Sequence, residues 1–193
     1  MKKLLFSLFA LGLFTAVQAQ ESKKKTSIAI RFNALDFGTA EKVQNGTIGS
    51  VLNKKQWGQL ASATNSFGVN YTTHYSEQVD IFSNFDFSIT RKPDYKPSAF
   101  NSSTEYFYAS VESGLNVKMF KNDHLVNPFV SVGLGIRSYA LRNYSAYAPV
   151  GLGLQIKSFK GSNLNVMFNY ATKMSKSHTA SYNYGLSYSF PLN

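Results

Sequence analysis

The sequence predicts an all-β protein, an eight-stranded antiparallel up-and-down transmembrane β-barrel, on three observations. Period-two alternation recurs in eight segments. One face of each segment is bulky and apolar while the other is small and polar, and the connections between segments tend to alternate long and short. An export signal at the N-terminus agrees with all three.

A chain of 193 residues suits a single domain. Lys and Arg number 20 against 10 Asp and Glu, for a net charge of +10, and there are 16 Phe and 12 Tyr. Such aromatic richness is the opposite of a disordered composition. Cysteine is absent, which excludes a disulfide scaffold, thiolate metal sites, a cysteine nucleophile and a lipid-modified N-terminal cysteine. Met1, Lys2 and Lys3 give a positive start, Leu4 to Phe14 an apolar core, and Val17 and Ala19 the small residues that a signal peptidase reads. Residues 1–19 are therefore expected to be a signal peptide and 20–193 the barrel. As a helix, Leu4 to Phe14 would rise about 16 Å, roughly half of a bilayer's hydrocarbon thickness. No later stretch is apolar enough for a membrane helix, and Lys23, Lys24 and Lys25 read as a solvated arm.

The strands follow in order. Ile28, Ile30, Phe32 and Ala34 alternate with Ser27, Ala29, Arg31 and Asn33. Phe67, Val69 and Tyr71 alternate with Gly68 and Asn70; Phe85, Phe87 and Ile89 with Asn84, Asp86 and Ser88. The fourth segment sets Phe107, Ala109, Val111, Leu115 and Val117 against Tyr106, Tyr108, Ser110, Glu112, Gly114, Asn116 and Lys118. Val130 to Ile136 alternates with Ser131, Gly133, Gly135 and Arg137, and Ala148 to Ile156 with Gly151, Gly153, Gln155 and Lys157. Leu164 to Tyr170 and Tyr182 to Phe190 complete the eight.

A water-soluble β-domain turns its apolar face inward and shows charge outside. Here the second face is Gly, Ser, Ala and Asn with a few ions, the set that fits the narrow interior of a small barrel. The bulky set then belongs against lipid. With both termini periplasmic, the odd connections should be the long outer ones: Leu35 to Ser66, Thr90 to Glu105, Ala140 to Tyr147 and Thr172 to Ser181. The even ones, Thr72 to Gln78, Met119 to Asn127 and Ser158 to Ser162, should be short turns. Tyr71, Tyr75, Tyr106, Tyr139, Tyr144, Tyr147 and Tyr170 lie near strand ends and read as an interfacial girdle.

On these residues the chain resembles the small outer membrane β-barrel family, the eight-stranded type related to the N-terminal barrel of outer membrane protein A. Asn127-Pro128-Phe129-Val130-Ser131-Val132-Gly133-Leu134-Gly135 is similar to the family's PF-x-x-x-G-x-G strand, and Ala148-Pro149-Val150-Gly151-Leu152-Gly153-Leu154-Gln155 to the strand that follows it. The alternating aromatic end Tyr182 to Phe190 resembles the family's C-terminal assembly signal, although Pro191, Leu192 and Asn193 follow it. The Gln-Ala-Gln signal ending and the strand wording look like Bacteroidota examples. The resemblance implies a bacterial outer membrane location and contact with outer membrane lipid and lipopolysaccharide.

Candidate chemistry lies mainly on the inward face. Arg31, Asp86, Glu112, Lys118, Arg137 and Lys157 point there, and Arg31 and Arg137 with Asp86 and Glu112 are expected to form an internal ion-pair network, since buried charges need partners. Such a network would plug the lumen; the same ions could alternatively gate a small pore. His74-Tyr75-Ser76, with Asp80 or Asp86 downstream, has a spacing that resembles outer membrane lipid A deacylases, which keeps a lipid A modifying hydrolase as a further alternative. The leading expectation is non-enzymatic, a structural or interaction barrel or an accessory subunit of an outer membrane assembly. His124 reads as solvated in a turn. No His or carboxylate cluster has metal-ligand spacing, and the Gly-Leu-Gly runs lie inside strands, so neither a metal nor another cofactor is expected. Dispersed charge on an exported chain argues against nucleic acid. Lys54, Lys55, Arg91, Lys92, Lys96, Arg142, Lys173 and Lys176, near the outer loops, could instead meet lipopolysaccharide phosphates. In the first loop, Thr39 to Thr64, apolar residues mix with lysines, and Trp57 is the candidate anchor for an outer membrane protein partner.

Overall fold

All eight strands form, and they close. The computed structural model describes residues 25–44, 63–91, 105–121, 124–139, 141, 143–174 and 180–192. β1 (Thr26–Asp36) runs into a short helix, α1 (Phe37–Gln44). Then come β2 (Thr64–His74), β3 (Val79–Arg91), β4 (Glu105–Lys118), β5 (Val126–Tyr139), β6 (Asn143–Lys157), β7 (Asn163–Lys173) and β8 (Ser181–Leu192). Each strand pairs antiparallel with its sequence neighbour, and β1 also pairs with β8. Closure removes the sheet edges, so strand N–H and C=O groups find partners without water. The expected signal segment, 1–19, lies outside the described residues.

The apolar face points out. Ile30, Phe67, Ile89, Leu134, Leu152 and Phe168 are exposed, whereas Arg31, Asn33, Asp86, Glu112 and Arg137 are buried in the lumen. A surface of this kind is complemented by hydrocarbon, not by water, and the barrel is a membrane-spanning one. Among the described residues no helix is long and apolar enough to cross a membrane, so the strands make the crossing.

Inside, space is the governing quantity. Eight strands leave a lumen only wide enough for side chains, and inward glycines stand directly across the ladder from several large inward groups. Phe82 pairs with Gly114, Phe129 with Gly153, Tyr147 with Gly135, Asp86 with Gly68, Asn169 with Gly151 and Asn33 with Gly185. A Cβ placed on Gly114 would lie 2.9 Å from Phe82 Cζ, and one on Gly135 would lie 2.5 Å from Tyr147 Cζ. Each missing methyl is thus the seat of a neighbouring ring, amide or, at Gly68, carboxylate.

Two sequence expectations need correction. The third outer connection is not a long loop: β5 continues to Tyr139 and β6 starts at Asn143, leaving only residues 140–142 between them. Arg137-Ser138-Tyr139 and Asn143 to Tyr147 break the apolar alternation, yet the ladder persists through Arg137↔Ser145 and Tyr139↔Asn143. Leu141 takes φ 56° in the tight turn, and the Tyr144 hydroxyl donates to its carbonyl at 3.0 Å. The tyrosine girdle is also smaller than expected. Tyr71, Tyr75 and Tyr144 are exposed, but Tyr139 and Tyr147 are buried in the lumen, because they share the parity of Arg137 and Gly151 and so face inward.

The end that carries both termini, called the terminal end below, has the β2–β3, β4–β5 and β6–β7 turns; the far end has α1. Asp36 caps α1 by accepting the Thr39 N–H at 2.9 Å, an N-cap arrangement. Phe37 then folds inward to pack with Leu35, Tyr108 and Tyr139.

Gly135→Ala is expected to lower unfolding stability in lipid vesicles by about 2 kcal/mol, because the Tyr147 ring must leave its seat. Gly38→Ala in α1, whose Cβ would meet nothing closer than 3.9 Å, should leave it unchanged or slightly raised. Urea titrations of both, followed by circular dichroism, make the comparison.

Candidate functional site in the lumen

The lumen holds two groups of ions. Near mid-barrel Arg31, fully buried, places Nη1 3.7 Å from Asp86 Oδ2 and 3.6 Å from Glu112 Oε1. Its Nη2 donates to Asn33 Oδ1 at 3.4 Å, and Asn33 Nδ2 donates in turn to Asp86 Oδ1 at 2.9 Å. Glu112 is held from two further sides, by the Asn84 amide and by the Tyr147 hydroxyl at 3.0 Å. Behind Asn84 the order continues: Asn70 Nδ2 donates to Asn84 Oδ1 and the Thr72 hydroxyl to Asn70 Oδ1. Buried carboxylates with several aligned donors tolerate loss of water far better than bare ones.

Arg137 occupies another position. Its Nη1 donates to Ser181 Oγ at 3.1 Å, and its guanidinium lies over the Tyr147 ring at 5.2 Å and the Phe37 ring at 5.7 Å. Tyr147 therefore links the two arginines: its face takes Arg137 and its hydroxyl takes Glu112, which Arg31 approaches from the other side. The helix cap reaches the same group through Phe37.

A second cluster sits at the terminal end. Asp80, the second residue of β3, receives Lys118 Nζ on Oδ2 at 2.6 Å and His74 Nδ1 on Oδ1 at 2.6 Å. The sequence pattern puts Lys118 in the lumen and offers Asp80 only as a partner for His74, because the regular alternation of the third segment begins at Asn84. Asp80 has the parity of Asn84 and Asp86, and that signal would have found it. His74 thus has a carboxylate behind it, but the Ser76 hydroxyl is engaged elsewhere: Oγ accepts the backbone N–H groups of Val79 at 3.0 Å and Gln78 at 3.3 Å, pinning the β2–β3 turn. Lys157, expected among the inward ions, is instead exposed, because it is the last residue of β6 and lies at the end of the barrel wall, and His124 packs on the Phe120 ring at 5.0 Å. No group of three or more His, Cys, Asp or Glu suited to a metal occurs among the described residues.

Between the clusters the lumen is partitioned. A cavity of about 30 Å³ on the terminal side is lined by Asn70, Asp80, Lys118, Phe129 and Met167 among others, and one of about 10 Å³ on the far side by Ser66, Asp86, Glu112, Arg137 and Asn169. Such volumes suit single waters. Trp57, Lys54, Lys55, Lys92, Lys96, Arg142, Lys176 and His178 lie outside the described residues, as do Ile48, Val51, Leu52 and Leu60 of the first loop; Arg91 and Lys173 are described in backbone only.

This is the fold of the small eight-stranded outer membrane β-barrels. The chain is similar to neisserial surface protein A, with a TM-score of 0.56 at 9% identity over 87% of this chain and 96% of that one. It is also similar to the N-terminal β-barrel domain of Pseudomonas aeruginosa OprF, with a TM-score of 0.50 at 11% identity over 87% of this chain and all of that one. No family model and no curated relative matches the sequence. Fold alone does not assign an activity.

Replacing Arg31 by Met is expected to destabilise the barrel by about 3–5 kcal/mol, since it leaves Asp86 and Glu112 buried against each other. Adding Asp86→Asn and Glu112→Gln to the same variant should recover most of that loss. Vesicle unfolding titrations on the single and triple variants separate a charge effect from a packing effect.

Proposed function

We propose that the protein is a closed, non-enzymatic barrel of the bacterial outer membrane, with a structural or interaction role and the capacity to serve as an accessory subunit of an outer membrane assembly. The observation that carries this reading is the partitioned lumen. Arg31, Asp86 and Glu112 with their amides cross the interior, Phe82, Phe129 and Tyr147 fill the seats left by glycines, and α1 folds Phe37 into the far mouth. What is then available to a partner is the outside: a lipid-facing belt, with Trp57 and the cationic residues of the sequence between strands as the candidate contacts for a protein partner and for lipopolysaccharide phosphates.

On this reading the ion-pair network is a plug and the first nineteen residues are removed on export. A hydrolase would need the Ser76 hydroxyl to donate to His74; among the described residues Ser76 Oγ instead accepts the Gln78 and Val79 N–H groups of the β2–β3 turn, and His74 Nδ1 faces Asp80.

Planar-bilayer recordings test the central claim. The purified barrel is expected to give no discrete conductance steps across the physiological voltage range. Reproducible steps from the wild type, lost or altered in Glu112→Gln, would replace the plug with a gated pore.

A further inference from the structure

Away from the strand ends, the outward positions of the barrel are aliphatic or aromatic with two exceptions among the described residues, Ser83 on β3 and Ser113 on β4. Ser83 shares the parity of the exposed Phe85 and Phe87, and Ser113 that of the exposed Val111 and Leu115; Asn84 and Glu112, of the opposite parity, are buried in the lumen. The two serines are ladder partners, half-buried between larger neighbours, and their hydroxyls are hydrogen-bonded to each other at 2.9 Å. The lipid-facing belt therefore carries one polar spot, made by two adjacent strands together.

Its depth decides what can meet it. Toward the terminal end stand two outward rows, Ile81 with Leu115 and Val79 with Val117. Toward the far end stand three, Phe85 with Val111, Phe87 with Ala109 and Ile89 with Phe107. At about 3.4 Å per residue and a strand tilt of about 40°, the pair lies about 10 Å from the last terminal-side row and about 15 Å from the last far-side row. That is within an apolar band about 25 Å tall, away from the ester and headgroup layers at its margins. Acyl chains offer a hydroxyl no partner, and polar groups at such depth are costly unless another polar group meets them. The bond between the serines uses one of their two protons, and neither hydroxyl has a further hydrogen bond among the described residues.

We propose that the β3–β4 face docks a second copy of this chain, the two barrels being related by a two-fold axis along the membrane normal. Such an axis preserves depth, so Ser83 and Ser113 of one barrel meet the same pair of the other. Each hydroxyl both donates and accepts, and four of them close a ring that uses all four protons. An identical chain matches the depth by symmetry, whereas an unlike partner would need a polar group at the same level. Apolar contact frames the ring: Phe85 and Phe87, with centroids 6.4 Å apart, and Val111 on one side, Ile81 and Leu115 on the other. The contact depends on the membrane-spanning barrel and not on the closure of its lumen, so self-association and conductance fail separately.

The test uses the full barrel refolded into lipid vesicles. The chain has no cysteine, so Leu115→Cys introduces a single thiol beside the serine pair. Mild oxidation is expected to give a disulfide-linked dimer as the main product of this variant, while Leu152→Cys, on the exposed outer face of β6, stays monomeric. Sedimentation equilibrium in density-matched detergent gives the dissociation constant, which Ser83→Ala with Ser113→Ala should raise roughly tenfold. The thermal midpoint of that variant should not fall, which separates docking from a tie between β3 and β4 alone. Val111→Trp adds bulk on the same face and leaves both hydroxyls in place; it should weaken the dimer as well, and it carries the test if the alanine variant does not refold. A wild type that sediments as a monomer at every protein-to-detergent ratio overturns the proposal and leaves the face to an unlike membrane partner. An alanine variant that dimerises as tightly as the wild type overturns it too, as does equal cross-linking from Leu115→Cys and Leu152→Cys, the mark of random collision.

Discussion

The narrowness of an eight-stranded lumen constrains everything else in this molecule. A sheet of eight strands, once closed, has an interior that its own side chains must fill without gaps. No inward position can be chosen independently of the one across the ladder. That is why Tyr147 faces Gly135 and Phe129 faces Gly153, and why bulky aliphatic residues are pushed to the outer surface. The exterior then requires hydrocarbon, so crossing a membrane follows from interior geometry as much as from surface composition.

The same narrowness decides the electrostatics. The interior has room for single waters only, so the ions there depend chiefly on protein groups. Asp86 and Glu112 share Arg31, and Asn33, Asn84 and Tyr147 supply the donors that a solvent would otherwise give. Asp80 is met by Lys118 and His74 at the other end. Because Tyr147 both seats against Gly135 and bonds Glu112, steric and electrostatic order meet in one residue. The helix cap joins them through Phe37 over Arg137.

Much of the architecture was legible because period two survives the inversion of inside and outside. Ile28, Ile30 and Phe32 against Ala29, Arg31 and Asn33 announce both a strand and its orientation. The lost information is of two kinds. Beyond the apolar belt the alternation fades while pairing continues, which hid the ends of β5 and β6 and made a loop of what is a turn. Residue type also misleads where parity is the better guide: Tyr139 and Tyr147 look like girdle tyrosines but count inward, and Asp80 lies on the lumen face of β3 ahead of the segment where the alternation is regular. The individual ion partners are not readable from sequence at all, since Arg31 meets Glu112 across strands that are not neighbours.

The glycine seats also bear on how such a chain could find its alignment while inserting. Alternation by twos cannot distinguish a correct ladder from one displaced by two residues, since both keep every apolar group in lipid. The seats can. In β3 and β4, sliding by two sets Phe82 against Glu112 or Asn116 in place of Gly114, and neither leaves room for a ring. Matching seats occur at β5–β6, β6–β7 and β1–β8. The lumen thereby works as a keyed lock: several wards must engage together, and the shape of the inside proofreads the order of the outside.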